Sequence, residues 1–379
     1  MTQLKVRGVD ISMLAEVEEF GGKYFLQGRQ RDLFEILVEM KINMVRLRLW
    51  VDPFDVDGAP YRGGTNDLAT TITLARRAVD HGLKIMLDLH YSDFWTDPKK
   101  QAIPKEWASY SPTQLEDAVE DYTRGVLRAL SAAEVTPDIV QVGNEITNGM
   151  LWPVGKTPSY HFEQREFEDV TPEAAEAAFD QLGRLLARGS KTVREEAPDA
   201  SILLHLDFGG ANDLYRRWFD EIVARDVPFD AIGLSYYPMW HGTLDDLGAN
   251  LEDLVSRYGK DVIVVETSYA HRVDGPPGLT TIFNEDMVAS GGFPATVDGQ
   301  QAFLIALMER VAQVPEDRGL GIVYWEPGWL PVQGTTWASN AGMVYGNDMA
   351  DSGNPWANQA LFDYEGNALK SWAAFQDFA

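Results

Sequence analysis

The sequence predicts an α/β protein, a (β/α)8 TIM barrel with long loops on one face. Eight short, mostly β-branched apolar runs alternate with helical patterns, and every long irregular segment follows such a run. Alternating strands and helices form parallel sheets with right-handed crossovers, and eight strands close into a barrel. An open doubly wound sheet is the alternative, but no glycine-rich phosphate loop follows the first run. We expect residues 1–379 to form a single domain.

The predicted elements take their bounds from hydrophobic periodicity and from breaker residues. The strands are predicted at 6–11, 44–50, 85–89, 139–142, 202–206, 231–235, 262–265 and 321–325. Seven helices are predicted at 32–40, 68–81, 112–131, 172–196, 212–225, 244–258 and 300–314. Because βα loops stand on the active-site face of a barrel, the long loops are expected to form a substrate cleft. These loops are 52–67, 92–111, 150–171, 267–299 and 326–358.

Composition limits the classes of partner. The 379 residues carry a formal net charge of −26, which repels phosphates, so neither nucleic acid nor an anionic membrane is expected as a partner. The absence of cysteine excludes disulfides, zinc–thiolate sites and cysteine nucleophiles. No signal-peptide pattern opens the sequence, which predicts a cytoplasmic protein. The alternative is a secreted protein whose signal is missing from this numbering. We expect a monomer.

Two glutamates each end a predicted strand. Glu145 closes the segment 139–145 and is preceded by Asn144, and Glu266 closes the segment 262–266. Barrel enzymes place their catalytic groups at the C-terminal ends of strands, and a pair of carboxyl groups is the machinery of glycoside hydrolysis. The alternative, two unrelated surface glutamates, is disfavoured by their matched contexts and by Asn144.

Polar and aromatic side chains follow nearly every other strand. Alternation along the second strand points Arg46 and Arg48 into the lumen, where Arg46 is expected to pair with Glu266 and to lower its pKa. Tryptophans on rim loops are expected to stack against sugar rings, with core packing as the alternative for any one of them. These tryptophans are Trp95, Trp152, Trp240, Trp325 and Trp329. The predicted substrate-binding residues are Arg46, Arg48, His90, Asp93, Trp95, Asn144, Asp207, Tyr236, Trp325 and Trp329.

The strand-end motifs resemble those of the glycoside hydrolase family 53 endo-β-1,4-galactanases, which are retaining (β/α)8 hydrolases. The motifs are GVDIS at 8–12, VRLRLW at 45–50, LHYSDFW at 89–95, VGNEI at 142–146, VVET at 264–267, YWEP at 324–327 and NQALFD at 358–363. The resemblance implies that Glu145 is the acid/base and Glu266 the nucleophile. It also implies that Asn144 binds the sugar 2-hydroxyl and that Tyr236 contacts the nucleophile. The implied substrate is β-1,4-galactan or type I arabinogalactan.

Galactan chains curve because the 4-hydroxyl of galactose is axial, so a bent cleft is expected. Trp95, Trp325 and Trp329 are expected to lie apart around its rim, with Asp93 and Asp207 on neighbouring strand ends binding hydroxyls. One alternative is a two-glutamate barrel hydrolase acting on β-mannan, β-glucan or galacto-oligosaccharides. A second is a non-catalytic sugar-binding barrel. A third, a metal-dependent barrel hydrolase, needs a His-x-His pair that the first strand lacks.

No metal or other cofactor is expected. Some bacterial members of the family bind calcium on the loops after strands seven and eight, but the sequence AHRVDGPP at 270–277 is poor in oxygen ligands. Asparagines and aspartates on the last loop offer oxygens, although such residues are also typical of turns. These residues are Asn347, Asp348, Asp351 and Asn354.

Overall fold

Eight parallel strands close into a barrel in the computed structural model, which describes residues 3–379. Around the barrel the order is β1-β8-β7-β6-β5-β4-β3-β2. The predicted fold is therefore confirmed, and each strand lies within two residues of its predicted bounds. The strands are β1 Val6–Asp10, β2 Met44–Leu49, β3 Lys84–Leu89, β4 Ile139–Val142, β5 Ser201–Leu206, β6 Ala231–Ser235, β7 Asp261–Thr267 and β8 Gly319–Trp325.

The seven predicted helices surround the barrel. Asp67, Ser111, Thr171 and Thr243 cap four of them by accepting a backbone N–H of the first turn, which fixes where these helices begin. An eighth helix of only four residues closes the last repeat and is too short to show a periodic pattern. The helices are α1 Leu33–Glu39, α2 Leu68–Asp80, α3 Pro112–Ala132, α4 Pro172–Glu196, α5 Asn212–Val223, α6 Leu244–Tyr258, α7 Val297–Ala312 and α8 Ala373–Gln376.

Several short elements give structure to the long loops of the rim. A hairpin of Tyr160–His161 and Glu166–Phe167 lies in the loop after β4. Short helices Glu285–Gly291 and Asn340–Gly346 lie in the loops after β7 and β8. These loops are therefore walls with their own hydrogen bonds rather than disordered connections. No helix among residues 3–379 is long and apolar enough to cross a membrane.

The barrel lumen is divided into an apolar layer and a polar layer. Side chains near the N-terminal ends of the strands fill the lumen with a separate hydrophobic cluster. This cluster contains Val6, Met44, Met86, Ile139, Leu203, Ala231, Ile263, Val265 and Val323. Arg46 and Arg48 lie closer to the C-terminal end of β2, where Arg46 pairs in register with Asp10 and Arg48 with Asp88. The ionisable side chains therefore lie above the apolar layer, at the end of the barrel where the long loops meet.

Candidate active site

Glu145 and Glu266 meet at the centre of the barrel mouth. One carboxylate oxygen of each lies within 4.8 Å of the other. The chain turns sharply where β4 ends, with φ of +88° at Gly143 and +48° at Glu145, and the second value is costly for a residue with a side chain. Carboxyl groups about 5 Å apart are the spacing of retaining glycosidases, in which one carboxylate attacks the sugar directly.

Glu145 lies in neutral or anionic surroundings. Ser235 donates its hydroxyl to Glu145 Oε1 at 2.6 Å, and His205 Nε2 lies 2.8 Å from the same hydroxyl. Burial lowers the pKa of His205 well below its ordinary value, so this ring is uncharged. Burial also raises the pKa of Glu145 well above its ordinary value, and the charges of Glu266 and Asp207 raise it further. The raised pKa favours the protonated form of Glu145, which is the form that a general acid needs.

Glu266 has a cation and a phenol instead. Arg46 Nη1 lies 3.2 Å from Glu266 Oε2, and Tyr237 donates its hydroxyl to Oε1 at 2.9 Å. Burial raises the pKa of Glu266, while Arg46 and Tyr237 lower it, so its pKa is raised less than the pKa of Glu145. The predicted contact with Arg46 is present, and Arg46 lowers the pKa of Glu266 as predicted, although burial raises this pKa by more. Arg46 and Tyr237 thus stabilise the ionised form of Glu266.

Arg46 belongs to a buried network of ions beneath the pair. It lies 2.9 Å from Asp10 and 2.8 Å from Asp88, and Arg48 lies 3.0 Å from Asp10 and 2.8 Å from Glu326. The five side chains of this network are each at most 2% exposed. A buried guanidinium needs such partners, and together they hold its position. Asp10, Asp88 and Glu326 are not among the predicted site residues, although the register of β1 and β3 against β2 places Asp10 beside Arg46 and Asp88 beside Arg48.

A cleft of about 820 Å³ opens above the pair. It is lined by six of the predicted substrate-binding residues: Arg48, His90, Trp95, Asn144, Trp325 and Trp329. Arg46 Nη2 donates to Asn144 Oδ1 at 2.8 Å, so the same guanidinium orients the nucleophile and the amide. His90 is held between Asp88 and Thr96, at 3.0 and 2.8 Å. Walls of tryptophan around carboxylates and amides suit a carbohydrate, whose C–H faces stack on indole while its hydroxyls form hydrogen bonds.

The sequence model of Glycosyl hydrolase family 53 matches residues 6–375. This chain belongs to glycosyl hydrolase family 53. It is 32% identical to the endo-beta-1,4-galactanase of Bacillus subtilis (strain 168), over 98% of this chain and 85% of that protein. It is 37% identical to a probable arabinogalactan endo-beta-1,4-galactanase A of Aspergillus terreus, over 86% of each chain. The solved structure of the Ignisphaera aggregans GH53 catalytic domain is similar, with a TM-score of 0.88, 38% identity, and 99% and 96% coverage.

Four predicted substrate-binding residues of this family 53 chain do not line the cleft: Arg46, which is buried beneath it, Asp93, Asp207 and Tyr236. Asp93 is fully buried and accepts the backbone N–H groups of Asp52 and Lys105, so it fastens two rim loops to each other. Asp207 is 2% exposed and accepts the hydroxyl of Thr147 behind Glu145. The two carboxylates do not follow neighbouring strands either, because β4 lies between β3 and β5. Their prediction as hydroxyl ligands is wrong.

The tyrosine whose side chain contacts the Glu266 carboxylate is one residue later in the sequence than predicted. Tyr236 is buried and donates its hydroxyl to the carbonyl of Gly242 at 3.1 Å. It contacts Glu266 only through the backbone, whereas the side chain of Tyr237 contacts the Glu266 carboxylate. The pairing of β6 with β7 shifts register between Leu234 and Ser235, so side-chain alternation cannot be extended past this point. The sequence offers no other signal that distinguishes the two adjacent tyrosines.

The tryptophans of the family 53 cleft form one cluster. The ring centroids of Trp95 and Trp325 are 6.2 Å apart, and those of Trp325 and Trp329 are 6.0 Å apart, so the prediction that they lie apart around the rim is wrong. Trp329 is only 1% exposed. Trp152 and Trp240 pack elsewhere on the rim loops and do not line the cleft, while Trp337 and Trp356, which are not among the predicted residues, do.

The donor atoms at the centre are already occupied by hydrogen bonds. Within residues 3–379, Glu145, His205 and Glu266 form the one acidic and imidazole group close enough to hold a metal ion. His205 Nδ1 is within 3.3 Å of Gln141, Asn144 and the backbone of Glu145, and Nε2 contacts Ser235. On the last loop, Asp348 pairs with Lys100, and Asn354 bonds to two backbone groups. Independence from metal stays a prediction.

Proposed function

We propose that this protein is an endo-acting, retaining glycosidase that cleaves β-1,4-galactosidic bonds in galactan and in type I arabinogalactan. The observation that carries this proposal is the catalytic pair, in which two carboxyl groups within 4.8 Å have unlike surroundings. The family relationship supports the substrate, because relatives from Bacillus subtilis and Aspergillus terreus are named for galactan cleavage.

The reaction follows from the two environments. Glu145 donates its proton to the oxygen of the leaving sugar while ionised Glu266 attacks the anomeric carbon, forming a glycosyl-enzyme ester. Glu145, now a carboxylate, then takes a proton from water, which attacks the anomeric carbon and releases Glu266. Arg46 holds Glu266 and Asn144 throughout, and the second N–H of the Asn144 amide is available to a sugar hydroxyl, since the first donates to the Thr96 carbonyl at 2.9 Å.

The decisive experiment is product analysis on linear β-1,4-galactan, with the anomeric configuration followed by NMR. We expect internal cleavage and β-configured first products, and Glu145→Gln measured in parallel should remove both signals. α-Configured first products would contradict the retaining mechanism. Cleavage of mannan or carboxymethyl-cellulose at the same rate as galactan would contradict the substrate but leave the two-glutamate mechanism standing. The monomeric state and the cytoplasmic location stay predictions.

A further inference from the structure

Two parallel aromatic rings lie at the β4–β5 side of the barrel mouth. Phe162, in the loop after β4, and Phe208, two residues after β5, have ring centroids 4.7 Å apart and an interplanar angle of 10°. Both rings are partly exposed. Neither lines the tryptophan cleft, whose walls come mainly from the loops after β3, β7 and β8. These two rings therefore form an aromatic surface separate from the lining of the cleft.

Two buried side chains, His241 and Tyr237, connect the pair to the catalytic centre. The ring of Phe208 contacts His241 edge-on at 5.3 Å, and His241 contacts Tyr237 edge-on at 5.6 Å. Tyr237 in turn donates its hydroxyl to Glu266. Phe208 also directly follows Asp207, whose charge acts on Glu145. The two rings therefore lie at the β4–β5 side of the mouth, the side from which Glu145 and Asp207 come.

The position of Phe208 is fixed by a constrained backbone. Its φ is +52°, a conformation that is unfavourable for an aromatic residue. A Cβ atom on either following glycine would lie 2.8 Å from the Ser235 carbonyl oxygen or 2.3 Å from that of His241, so the turn is tightly packed against β6 and its loop. The backbone turn therefore fixes the position of the Phe208 ring, which stays partly exposed at the barrel mouth.

We propose that Phe162 and Phe208 bind the sugar on the leaving-group side of the scissile bond, and that the same surface binds a galactoside acceptor for transglycosylation. This inference rests on the proposed function, since an endo-acting enzyme must hold its chain on both sides of the bond. Glu145 protonates the leaving oxygen, so the departing sugar lies on its side of the pair. The rings offer flat faces for the C–H groups of a galactose unit.

The transfer reaction reuses the glycosyl-enzyme ester. A hydroxyl of the acceptor sugar attacks the anomeric carbon, the bond between that carbon and the Glu266 oxygen breaks, and the acceptor proton passes to Glu145. A new glycosidic bond replaces the ester and both carboxyl groups return to their resting states. Water and acceptor compete for the same ester, so the ratio of transfer to hydrolysis measures occupancy of the acceptor surface.

The test uses Phe208→Ala and Phe162→Ala with β-1,4-galactopentaose labelled at its reducing end. At high pentaose concentration we expect the transfer-to-hydrolysis ratio to fall on the order of tenfold, the effect of losing part of an aromatic contact. The main cleavage position should also shift. A galactobioside with a small aryl leaving group, which cannot reach the rings, should be hydrolysed at nearly the wild-type rate by both variants.

Phe167→Ala is the matched control, because it removes an equal ring from the same hairpin. Phe167 packs on Tyr160 at 4.9 Å with Arg217 at 4.0 Å over its ring, and its loss should leave the ratio unchanged. Phe208→Trp should restore transfer. An unchanged ratio in both alanine variants, or an equal loss on every substrate including the aryl glycoside, would overturn the inference. Wild-type enzyme that leaves galactan intact would instead overturn the proposed function.

Discussion

Each side of the barrel mouth carries one of the two catalytic carboxyl groups, and the charges around these two groups differ. On the side built by β1, β2, β3 and β8, Arg46 contacts Glu266 and is itself held by the buried carboxylates of Asp10 and Asp88. On the side built by β4, β5 and β6, Glu145 contacts a serine and an uncharged histidine, and within the described residues it forms no salt bridge with lysine or arginine. A barrel can therefore assign different protonation states to two carboxyl groups within 4.8 Å by placing its cations on one side.

Removing either carboxyl group should have the largest effect. Glu145→Gln and Glu266→Gln are each expected to lower kcat by several orders of magnitude with the fold retained, because each removes a group that acts on the reacting atoms. Azide should rescue Glu266→Gly with inversion and Glu145→Ala with retention, since azide replaces a different partner in each. Exposed Glu316→Gln is the control. Near wild-type turnover by either variant would exclude that residue from the mechanism.

Removing the positive charge of Arg46 should reduce the difference between the pKa values of Glu145 and Glu266. Arg46 lowers the pKa of Glu266, so Arg46→Leu should raise that pKa and move the acidic limb of the pH–rate profile to higher pH, because Glu266 must be ionised to attack. We also expect a lower kcat and a stability loss of about 3–5 kcal/mol from carboxylates left buried without a partner.

Arg46→Lys keeps the charge but loses the forked geometry, so it should show a smaller shift of the acidic limb if Arg46→Leu fails to fold. Arg194→Leu, at an arginine whose side chain is 43% exposed, is the control. An acidic limb that stays in place in both Arg46 variants would contradict the assigned role of this cation.

The adjacent tyrosines provide a finer test of the same comparison. Tyr237→Phe removes a hydrogen bond that lowers the pKa of Glu266, and it should lower kcat on the order of tenfold, the value of one such bond to a charged group. Tyr236→Phe loses only a bond to a loop carbonyl and should retain activity. The reverse order of effects would show that Tyr236 reaches the nucleophile during catalysis.

The sequence predicts those parts of the site that lie within regular strands. Alternation along β2 correctly points Arg46 and Arg48 into the lumen, because β geometry holds through residue 49. Prediction fails just beyond the strands. Tyr91, Glu145, Phe208 and Glu326 each adopt φ near +50° within three residues of the end of a strand, which changes the direction of the chain there. Asp93, Asp207 and Tyr237 lie within two residues of such a turn or of the register shift in β6, where alternation no longer decides direction.

The smallest expected effect is that of metal removal, and it tests whether the comparison is complete. A divalent cation beside Glu145 and His205 would add a positive charge in contact with Glu145, and it would lower the pKa of Glu145. Because both ring nitrogens of His205 already have hydrogen-bond partners, we expect exhaustive EDTA treatment to leave kcat, Tm and the basic limb of the pH–rate profile unchanged.

Metal-free buffer with equal ionic strength is the control, since salt alone screens surface charge. A Tm that falls with EDTA and returns with calcium would contradict this expectation and place a cation on the rim loops. A basic limb that moves to higher pH after chelation would instead place the cation at Glu145, and the asymmetry of the two sides would then depend on a bound ion as well as on Arg46.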